Sequence, residues 1–236
     1  LRFLTSESTK ITEKNPPRHV EEEKFKDTVR NAYHRKMKIR ILTFAIGRIQ
    51  EMFLLVKEAC PDAPIWIDGQ AREVSAIFAE HLGEVFSEVG KHFIQNATHR
   101  REVILSDKPN IVLAPSAMQF GGLSRKYVEH GCGQTDHLFV SPGYRDPRSP
   151  EYAFFASTSH NDVFEFGAYR AARMCQTATF NFTSHCDGDD VLEMKALMNP
   201  EKTLLIHGDA KNMDKFVGSH PDQGFVIANN DEPITI

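Results

Sequence analysis

Disulfide, membrane and secretion signatures are absent from the sequence. Its four cysteines include no C-x-x-C pair, which argues against a zinc ribbon or a disulfide scaffold and favours a reducing compartment. No apolar run reaches about 18 residues and no signal peptide is visible, so we expect no membrane contact and a cytoplasmic protein, or a nuclear one in a eukaryote. The formal net charge of −4 excludes a chain that binds nucleic acid by overall basicity, so any such contact must be a local patch.

A complete P-loop or G-x-G-x-x-G fingerprint is also absent. Gly47 and the pair Gly121-Gly122 each precede a predicted helix. A strand, a glycine turn and a helix together can bind an anion at the helix N-terminus. An α/β domain that binds phosphate or a nucleotide is therefore one hypothesis, although only these turns support it.

Length and composition are those of an ordinary globular protein. The 236 residues suffice for one large domain or two small ones with a hydrophobic core. Hydrophobic residues make up 41% of the chain and charged residues 25%. The chain begins with Leu1 rather than Met, and we expect it to be the downstream part of a longer protein.

Strands alternate with helices along most of the sequence, which predicts an α/β fold with largely parallel pairing. The predicted strands are Leu1–Ser6, Lys38–Phe44, Pro64–Asp68, Asn110–Ala114, Asp136–Val140, Tyr152–Ala156, Asp162–Gly167, Thr179–Phe182, Thr203–Ile206, Gly224–Ile227 and Pro233–Ile236. The predicted helices include Glu21–Arg35, a helix after Gly47, Arg72–Leu82, a helix through Arg125 and Tyr127, Val191–Met198 and Asn212–Phe216.

Two histidines follow predicted strands that a single helix joins. His185 comes after Thr179–Phe182, and His207 comes directly after Thr203–Ile206. In open α/β sheets, ligands bind at the edge formed by the C-terminal ends of the strands. The two histidines are therefore candidates for a site, but solvated side chains at strand ends give the same pattern.

Seven short motifs occur in a fixed order: E-S-T, F-A-I-G-R-I-Q-E, P-x-x-x-D-G, S-A-M-x-x-G-G, G-Y-R, S-H-C-D-G and I-H-G-D. In this order they resemble the β-CASP branch of the metallo-β-lactamase superfamily, which includes ribonuclease J and the endonuclease of pre-mRNA 3′-end processing. The resemblance covers nearly the whole chain. It implies the C-terminal part of a metallo-β-lactamase αββα fold at residues 1–12 and 178–236, with a β-CASP α/β domain inserted at residues 13–177.

The resemblance implies a zinc-dependent ribonuclease with two Zn²⁺ ions in the complete enzyme. It places the acidic residue and the two histidines of the family on Glu7, His185 and His207. His207 would be a zinc ligand, and His185, oriented by Glu7, would be the general acid for the leaving oxygen. A carboxylate bonded to an imidazole raises its pKa and fixes its tautomer, as a proton donor requires. Histidine rather than an apolar residue at position 207 implies RNA rather than DNA as the substrate.

The sequence departs from the family at its metal ligands, because the family's H-x-H-x-D-H run is absent. The chain then supplies at most one of those ligands. We expect these 236 residues alone to bind no zinc stably and to cleave no RNA. A non-catalytic β-CASP scaffold subunit of an RNA-processing complex is the alternative, and the presence of Glu7, His185 and His207 argues against it.

RNA is the implied partner, together with a second copy of the chain or other subunits of an RNA-processing complex. Phosphate contacts supply affinity without reading the base sequence. The candidates for such contacts are Arg48, Gly121, Gly122, Arg125, Lys126, Arg145 and Arg148.

Overall fold

The computed structural model describes residues 3–7, 10–119, 121–157, 162–166 and 169–228. Its strands are β1 (Phe3–Glu7), β2 (Lys38–Leu42), β3 (Ile65–Ile67), β4 (Ile111–Ala114), β5 (His137–Ser141), β6 (Val163–Phe166), β7 (Tyr169–Ala172), β8 (Gln176–Thr179), β9 (Lys202–Ile206) and β10 (Phe225–Ile227). Its helices are α1 (Arg18–His34), α2 (Arg48–Ala59), α3 (Ala71–Leu82), α4 (Ala97–Leu105), α5 (Gly122–Gly131), α6 (Pro150–Ala156), α7 (Gly188–Met198) and α8 (Ala210–Ser219). Within these described ranges, no helix is both long and apolar enough to cross a membrane.

The chain forms two compact units, and the first of them is discontinuous in sequence. Unit 1 consists of Leu1–Pro17 and Thr183–Ile236, and unit 2 consists of Arg18–Phe182. A segment of about 165 residues is therefore inserted between the two parts of unit 1. The assignment of the units to a metallo-β-lactamase domain and a β-CASP domain, with the boundaries given above, stays a prediction.

Unit 2 is built on a five-stranded parallel sheet of order β3-β4-β2-β5-β8. Successive strand side chains point to opposite faces, so a sheet with helices on both sides needs apolar residues at nearly every position. Ile39 and Ile41 accordingly pack with α1 and α2 on one face. Val112 and Phe139 pack with α4, α5 and α6 on the other. The predicted α/β fold with parallel pairing is confirmed.

The strand predicted at Thr179–Phe182 lies earlier than expected. β8 ends at Thr179, and the two phenylalanines that follow it pack on α1 instead. The ring of Phe25 meets the rings of Phe180 and Phe182 edge to face, with centroids 5.3 and 5.5 Å apart. Aromatic packing against the helix therefore competes with extension of the strand. The strand predicted at Pro233–Ile236 lies outside the described residues.

The strand predicted at Tyr152–Ala156 is wrong, because these residues belong to α6. The Ser149 hydroxyl accepts a hydrogen bond from the Tyr152 backbone N–H at 3.1 Å, and Pro150 occupies the first turn. Both features favour a helix start, since proline has no N–H to leave unpaired there. The local capping signal therefore outweighs the aromatic content that favoured a strand.

Unit 1 contains a three-stranded parallel sheet of order β1-β9-β10. Its core is a small cluster of apolar side chains from the sheet, α7, α8 and the segment after β1: Ile11, Val191, Leu205, Met213, Phe216 and Phe225. Leu197 and Met198, at the end of α7, remain exposed. α7 therefore contributes only part of its apolar surface to this cluster.

The buried carboxyl group of Glu151 makes a prediction about the pH dependence of stability. Burial raises its pKa to about 8, although the Ser141 hydroxyl donates to Oε1 at 2.7 Å. An unfolded glutamate ionises near pH 4.3, so between about pH 4.3 and 8 only the unfolded state loses this proton. Stability should therefore fall with rising pH across this window, by at most about 1.4 kcal/mol per pH unit.

Glu151→Gln should flatten this dependence, because glutamine does not ionise. The unfolding free energy of the variant minus that of the wild type should therefore become more positive from pH 5 to pH 8. Urea denaturation followed by circular dichroism at several pH values measures it. Glu80→Gln, at an exposed position of α3, is the matched control. If the difference between Glu151→Gln and the wild type is the same at pH 5 and pH 8, the pKa of Glu151 is not raised in the folded state.

Candidate functional site

The C-terminal edge of the unit 1 sheet brings two of the predicted site residues together. Glu7 is the last residue of β1, and its register partner Ile206 is the last residue of β9. His207 follows Ile206 directly. Because β1 and β9 are parallel neighbours, Glu7 and His207 leave the sheet at the same edge. The Glu7 backbone is described, whereas its side chain lies outside the described part of the structure.

His207 adopts an uncommon backbone conformation. Its φ is 53°, in the left-handed region that residues other than glycine rarely occupy. The imidazole is exposed, and Asp209 begins α8 by accepting a hydrogen bond from the Asn212 N–H at 3.1 Å. Strained backbone of this kind persists where the surroundings hold it, and it is concentrated at functional sites.

His185 lies in the loop that precedes α7, and its backbone is fixed on both sides. The Asn15 side-chain amide donates to the His185 carbonyl at 3.0 Å, and the His185 N–H donates to the Thr183 hydroxyl at 3.0 Å. The His185 side chain itself is exposed. The loop therefore holds the backbone and leaves the imidazole accessible to a ligand.

Asp187 joins this loop to α7 and to the segment after β1. It forms a capping box with Asp190, each carboxylate accepting from the backbone N–H of the other at 3.0 Å. Its second oxygen accepts from the Asn15 N–H at 2.7 Å. Burial opposes ionisation, but these N–H donors hold the pKa of Asp187 below its ordinary value. The carboxylate thus stays charged where the helix N-terminus favours an anion.

The N-terminus of α7 lies beside the segment that follows β1. Lys10, three residues beyond Glu7, forms an isolated parallel bridge with Asp187. Gly188 approaches that segment so closely that an added Cβ would lie 2.5 Å from the Ile11 carbonyl oxygen. His185 therefore belongs to the same end of unit 1 as Glu7 and His207.

One premise of the sequence prediction is wrong, although the residues it selected do lie at one end of unit 1. β8, the strand before His185, belongs to the five-stranded sheet of unit 2, whereas β9 belongs to the three-stranded sheet of unit 1. The two histidines are therefore not at equivalent places on strands of one sheet. The chain passes from one unit to the other between Phe182 and Thr183, and only its fold reveals this crossing.

Unit 2 has its own C-terminal sheet edge, where three of the motif loops meet. They follow the adjacent strands β4, β2 and β5, and they comprise residues 115–121, 43–47 and 142–149. Gly121 precedes the first amides of α5 and offers them no side-chain cap, and Gly122 has a φ of 80° that favours glycine. The Ser124 N–H in this first turn donates to the Pro115 carbonyl at 2.8 Å, so the amides of Gly122 and Leu123 are the ones that an anion could meet.

The charged candidates for RNA contact differ in their surroundings. Arg48 pairs with Glu51 at the start of α2, Arg125 pairs with Glu129 at 2.9 Å, and the exposed Arg148 pairs with Asp146 at 3.0 Å. Arg145 follows β5 at the same sheet edge. Lys126 is exposed on the outer side of α5. Arg48, Gly121, Gly122 and Arg145 therefore lie at or next to one edge, whereas Arg125 and Lys126 lie further along α5.

Asp68 has no assigned role from the sequence alone, although it lies in the P-x-x-x-D-G motif. Its carboxylate is completely buried at the end of β3. It accepts hydrogen bonds from Arg100 of α4 at 2.8 Å and from the Tyr127 hydroxyl of α5 at 2.9 Å. The bond to Asp68 raises the pKa of Arg100. One carboxylate thus ties two helices to the sheet edge.

Two family models match the chain. One describes a Beta-Casp domain and matches residues 49–151, all within unit 2. The other describes a Zn-dependent metallo-hydrolase RNA specificity domain and matches residues 170–218, which contain His185 and His207.

Several curated relatives are similar to this chain over most of its length. "Transcription termination factor FttA" of Methanothermobacter thermautotrophicus is 27% identical, covering 82% of this chain and 34% of the relative. "Integrator complex subunit 11" of Danio rerio is 24% identical, covering 96% and 40%. "Endoribonuclease YSH1" of Saccharomyces cerevisiae is 23% identical, covering 90% and 30%. The chain thus spans about a third of the length of these relatives.

The close approach at Gly188 makes a prediction about unit 1. Gly188→Ala should destabilise it by roughly 1–3 kcal/mol, because the added methyl group overlaps the Ile11 carbonyl and the Phe216 ring. The only tryptophan, Trp66, lies in unit 2, so its fluorescence does not report on unit 1. Hydrogen exchange of the unit 1 amides at increasing urea concentration therefore measures the loss. Gly218→Ala in α8 is the matched control, since its Cβ meets nothing within 4 Å and should be neutral or slightly stabilising. Equal effects of the two substitutions would refute the close approach.

Proposed function

Because the chain belongs to the β-CASP branch of the metallo-β-lactamase superfamily, we propose that it is part of a zinc-dependent ribonuclease that hydrolyses RNA phosphodiester bonds. The name of one relative, an endoribonuclease, supports this proposal. The single observation that carries it is the position of Glu7, His185 and His207 at one end of unit 1. A scaffold has no chemical reason to keep these three residue types together.

In the proposed reaction, His185 donates a proton to the leaving oxygen of the cleaved phosphodiester. Its exposed imidazole on a fixed backbone suits that role, since a general acid must reach the substrate while its own position stays defined. Glu7, at the end of β1, is the proposed partner that orients the imidazole.

Zinc would act as a Lewis acid and activate the attacking water. Zinc sites use three or four protein ligands. Across the part of the chain that the structure describes, no three His, Cys, Asp or Glu side chains are grouped closely enough to hold a metal ion. The described residues therefore do not fit a complete zinc centre. We assign this chain one zinc ligand, His207, and propose that the ligands of both zinc ions otherwise come from outside these 236 residues.

The C-terminal edge of the unit 2 sheet is the proposed RNA contact. The uncapped first turn of α5 at Gly121 and Gly122 would accept a phosphate through backbone amides, and Arg145 would add a positive charge. Arg48 contributes positive charge beside this edge, although its guanidinium also pairs with Glu51. These contacts would hold the RNA backbone without reading its sequence.

The remaining partners and the compartment also belong to the proposal. One relative is named as a subunit of the Integrator complex, which supports assembly of this chain with other subunits of an RNA-processing complex. A second copy of the chain is the other proposed partner. Cytoplasmic RNA, or nuclear RNA in a eukaryote, would be its substrate.

Substitution of the two histidines in the full-length protein tests the catalytic proposal. His207→Ala should lower the zinc content and abolish cleavage of a labelled RNA. His185→Ala should retain zinc and lower the cleavage rate by roughly 10²–10⁴-fold, the usual contribution of a general acid. Elemental analysis gives the zinc content, and a single-turnover assay gives the rate.

His19→Ala, at an exposed position of α1, is the matched control and should change neither quantity. Full zinc content in His207→Ala would show that His207 is not a ligand. A wild-type protein that binds no zinc and cleaves no RNA would instead establish the non-catalytic scaffold.

Arg145→Gln tests the RNA edge, with Arg148→Gln as a control three residues away. Arg145→Gln should weaken binding of single-stranded RNA several-fold at low salt, because it removes a cation from the C-terminal edge of the unit 2 sheet. Arg148→Gln should change the affinity less, because the Arg148 guanidinium already pairs with Asp146. Fluorescence anisotropy measures both. Equal losses would indicate general charge attraction and not a defined edge.

A further inference from the structure

A groove between α4 and α5 of unit 2 is lined by residues of these two helices and by none from the loops at the C-terminal edge of the unit 2 sheet. It has a volume of about 460 Å³, within the usual range of ligand pockets, and it is open to solvent. The lining comes from one side of each helix: Ala97, Arg100, Arg101, Ile104 and Leu105 of α4, and Lys126, Glu129 and His130 of α5. Ile104 and Leu105 supply an apolar surface within a ring of charged groups.

The charges of the groove do not cancel. Arg100 is neutralised by Asp68, and Glu129 is neutralised by Arg125 at 2.9 Å. Arg101 and Lys126 are both exposed, and among the described residues neither has an ion-pair partner. Two cations therefore face each other across the groove on a chain whose formal net charge is −4.

A buried charge behind α5 adds to this positive field. Arg40 of β2 is only 1% exposed, and its Nη2 has no hydrogen-bond partner among the described residues. Its Nη1 donates to the Asn110 side-chain oxygen, a neutral acceptor, at 2.7 Å. Burial and then the charges of Arg40 and Lys38 lower the pKa of His130, which lines the groove, and they outweigh the opposite effect of the Asp136 carboxylate. The field at this end of α5 therefore favours an anion.

We propose that the α4–α5 groove binds the phosphodiester backbone of single-stranded RNA, with Arg101 and Lys126 as the phosphate contacts. This inference rests on the proposed function, because it extends the path of the same RNA beyond the sheet edge. Lys126 lies about 6 Å and His130 about 12 Å along the helix axis from Gly122, at the start of α5. A chain bound at that N-terminus thus reaches the groove by following one helix.

The apolar part of the groove also fits a nucleic acid. Leu105 is 54% exposed, and it lines the groove together with Ile104 and the two cations. Unstacked bases of single-stranded RNA stack on planar side chains, and the His130 ring lines the same groove, whereas phosphates need cations beside them.

Binding of RNA by the 236-residue chain tests the groove. The probe is a fluorescein-labelled oligouridine of about 20 nucleotides, longer than the roughly 4–16 nucleotides that one single-strand-binding module covers. Arg101→Gln combined with Lys126→Gln should weaken binding about tenfold at low salt. It should also reduce the slope of log K against log salt by about 1.4, since each phosphate contact on a single strand contributes about 0.7.

The matched control is Lys24→Gln combined with Lys57→Gln, which removes two cations from α1 and α2 on the opposite face of the same sheet. It should leave the salt slope unchanged. Equal slopes for the two double variants would overturn the groove while leaving the RNA proposal intact.

A wild-type chain without affinity for the oligouridine would overturn the RNA proposal and the groove together. Competition by polyglutamate, at the same concentration of negative charge as the RNA, tests whether the groove prefers RNA to an acidic polypeptide. Displacement of the RNA by polyglutamate from the wild type, but not from the Arg101–Lys126 variant, would overturn the assignment to RNA. Resistance to polyglutamate supports it.

Discussion

The buried carboxylate of Asp68 is the interaction on which the proposed RNA surface of unit 2 depends. A buried charge must be paired and hydrogen-bonded, and Asp68 meets that need with the Arg100 guanidinium, the Tyr127 hydroxyl and the Gly69 N–H at 2.8 Å. These donors come from α4, from α5 and from the turn after β3. Loss of the carboxylate would leave these donors unpaired and weaken the attachment of both helices, which otherwise rests on apolar packing. The uncapped N-terminus of α5 and the α4–α5 groove therefore share one anchor.

The two units present different residue types at the same kind of position, the C-terminal edge of a parallel sheet. Each is a parallel sheet whose loops gather at the C-terminal edge, where ligands bind in such sheets. In unit 2 the edge presents glycine turns and cations, which suit a phosphate backbone. In unit 1 the edge presents a carboxylate position and two histidines, which suit proton transfer and metal ligation. Under the proposed function, the RNA-binding groups and the reacting groups lie in separate units of one chain.

Sequence periodicity predicted the α/β class because buried parallel strands such as Ile111–Ala114 are uninterrupted apolar runs. It failed at Tyr152–Ala156, where Ser149 and Pro150 impose a helix start, and at Thr179–Phe182, where two aromatic rings pack on α1. Site residues were recognisable only where a motif marked them. Arg101 and His130 lie far apart in sequence and meet across a groove, so no local pattern could reveal them.

The acidic balance of the chain limits how it can bind a polyanion. With a net charge of −4, long-range attraction to RNA is weak, and affinity must come from a few cations placed where carboxylates do not neutralise them. Several cations of unit 2 are neutralised in this way, including Arg100, Arg125 and Arg148. Arg101 and Lys126 differ because their ring of neighbours holds one carboxylate, Glu129, which Arg125 already occupies. The internal ion pairs of unit 2 therefore determine which of its surfaces keep positive charge without a carboxylate partner.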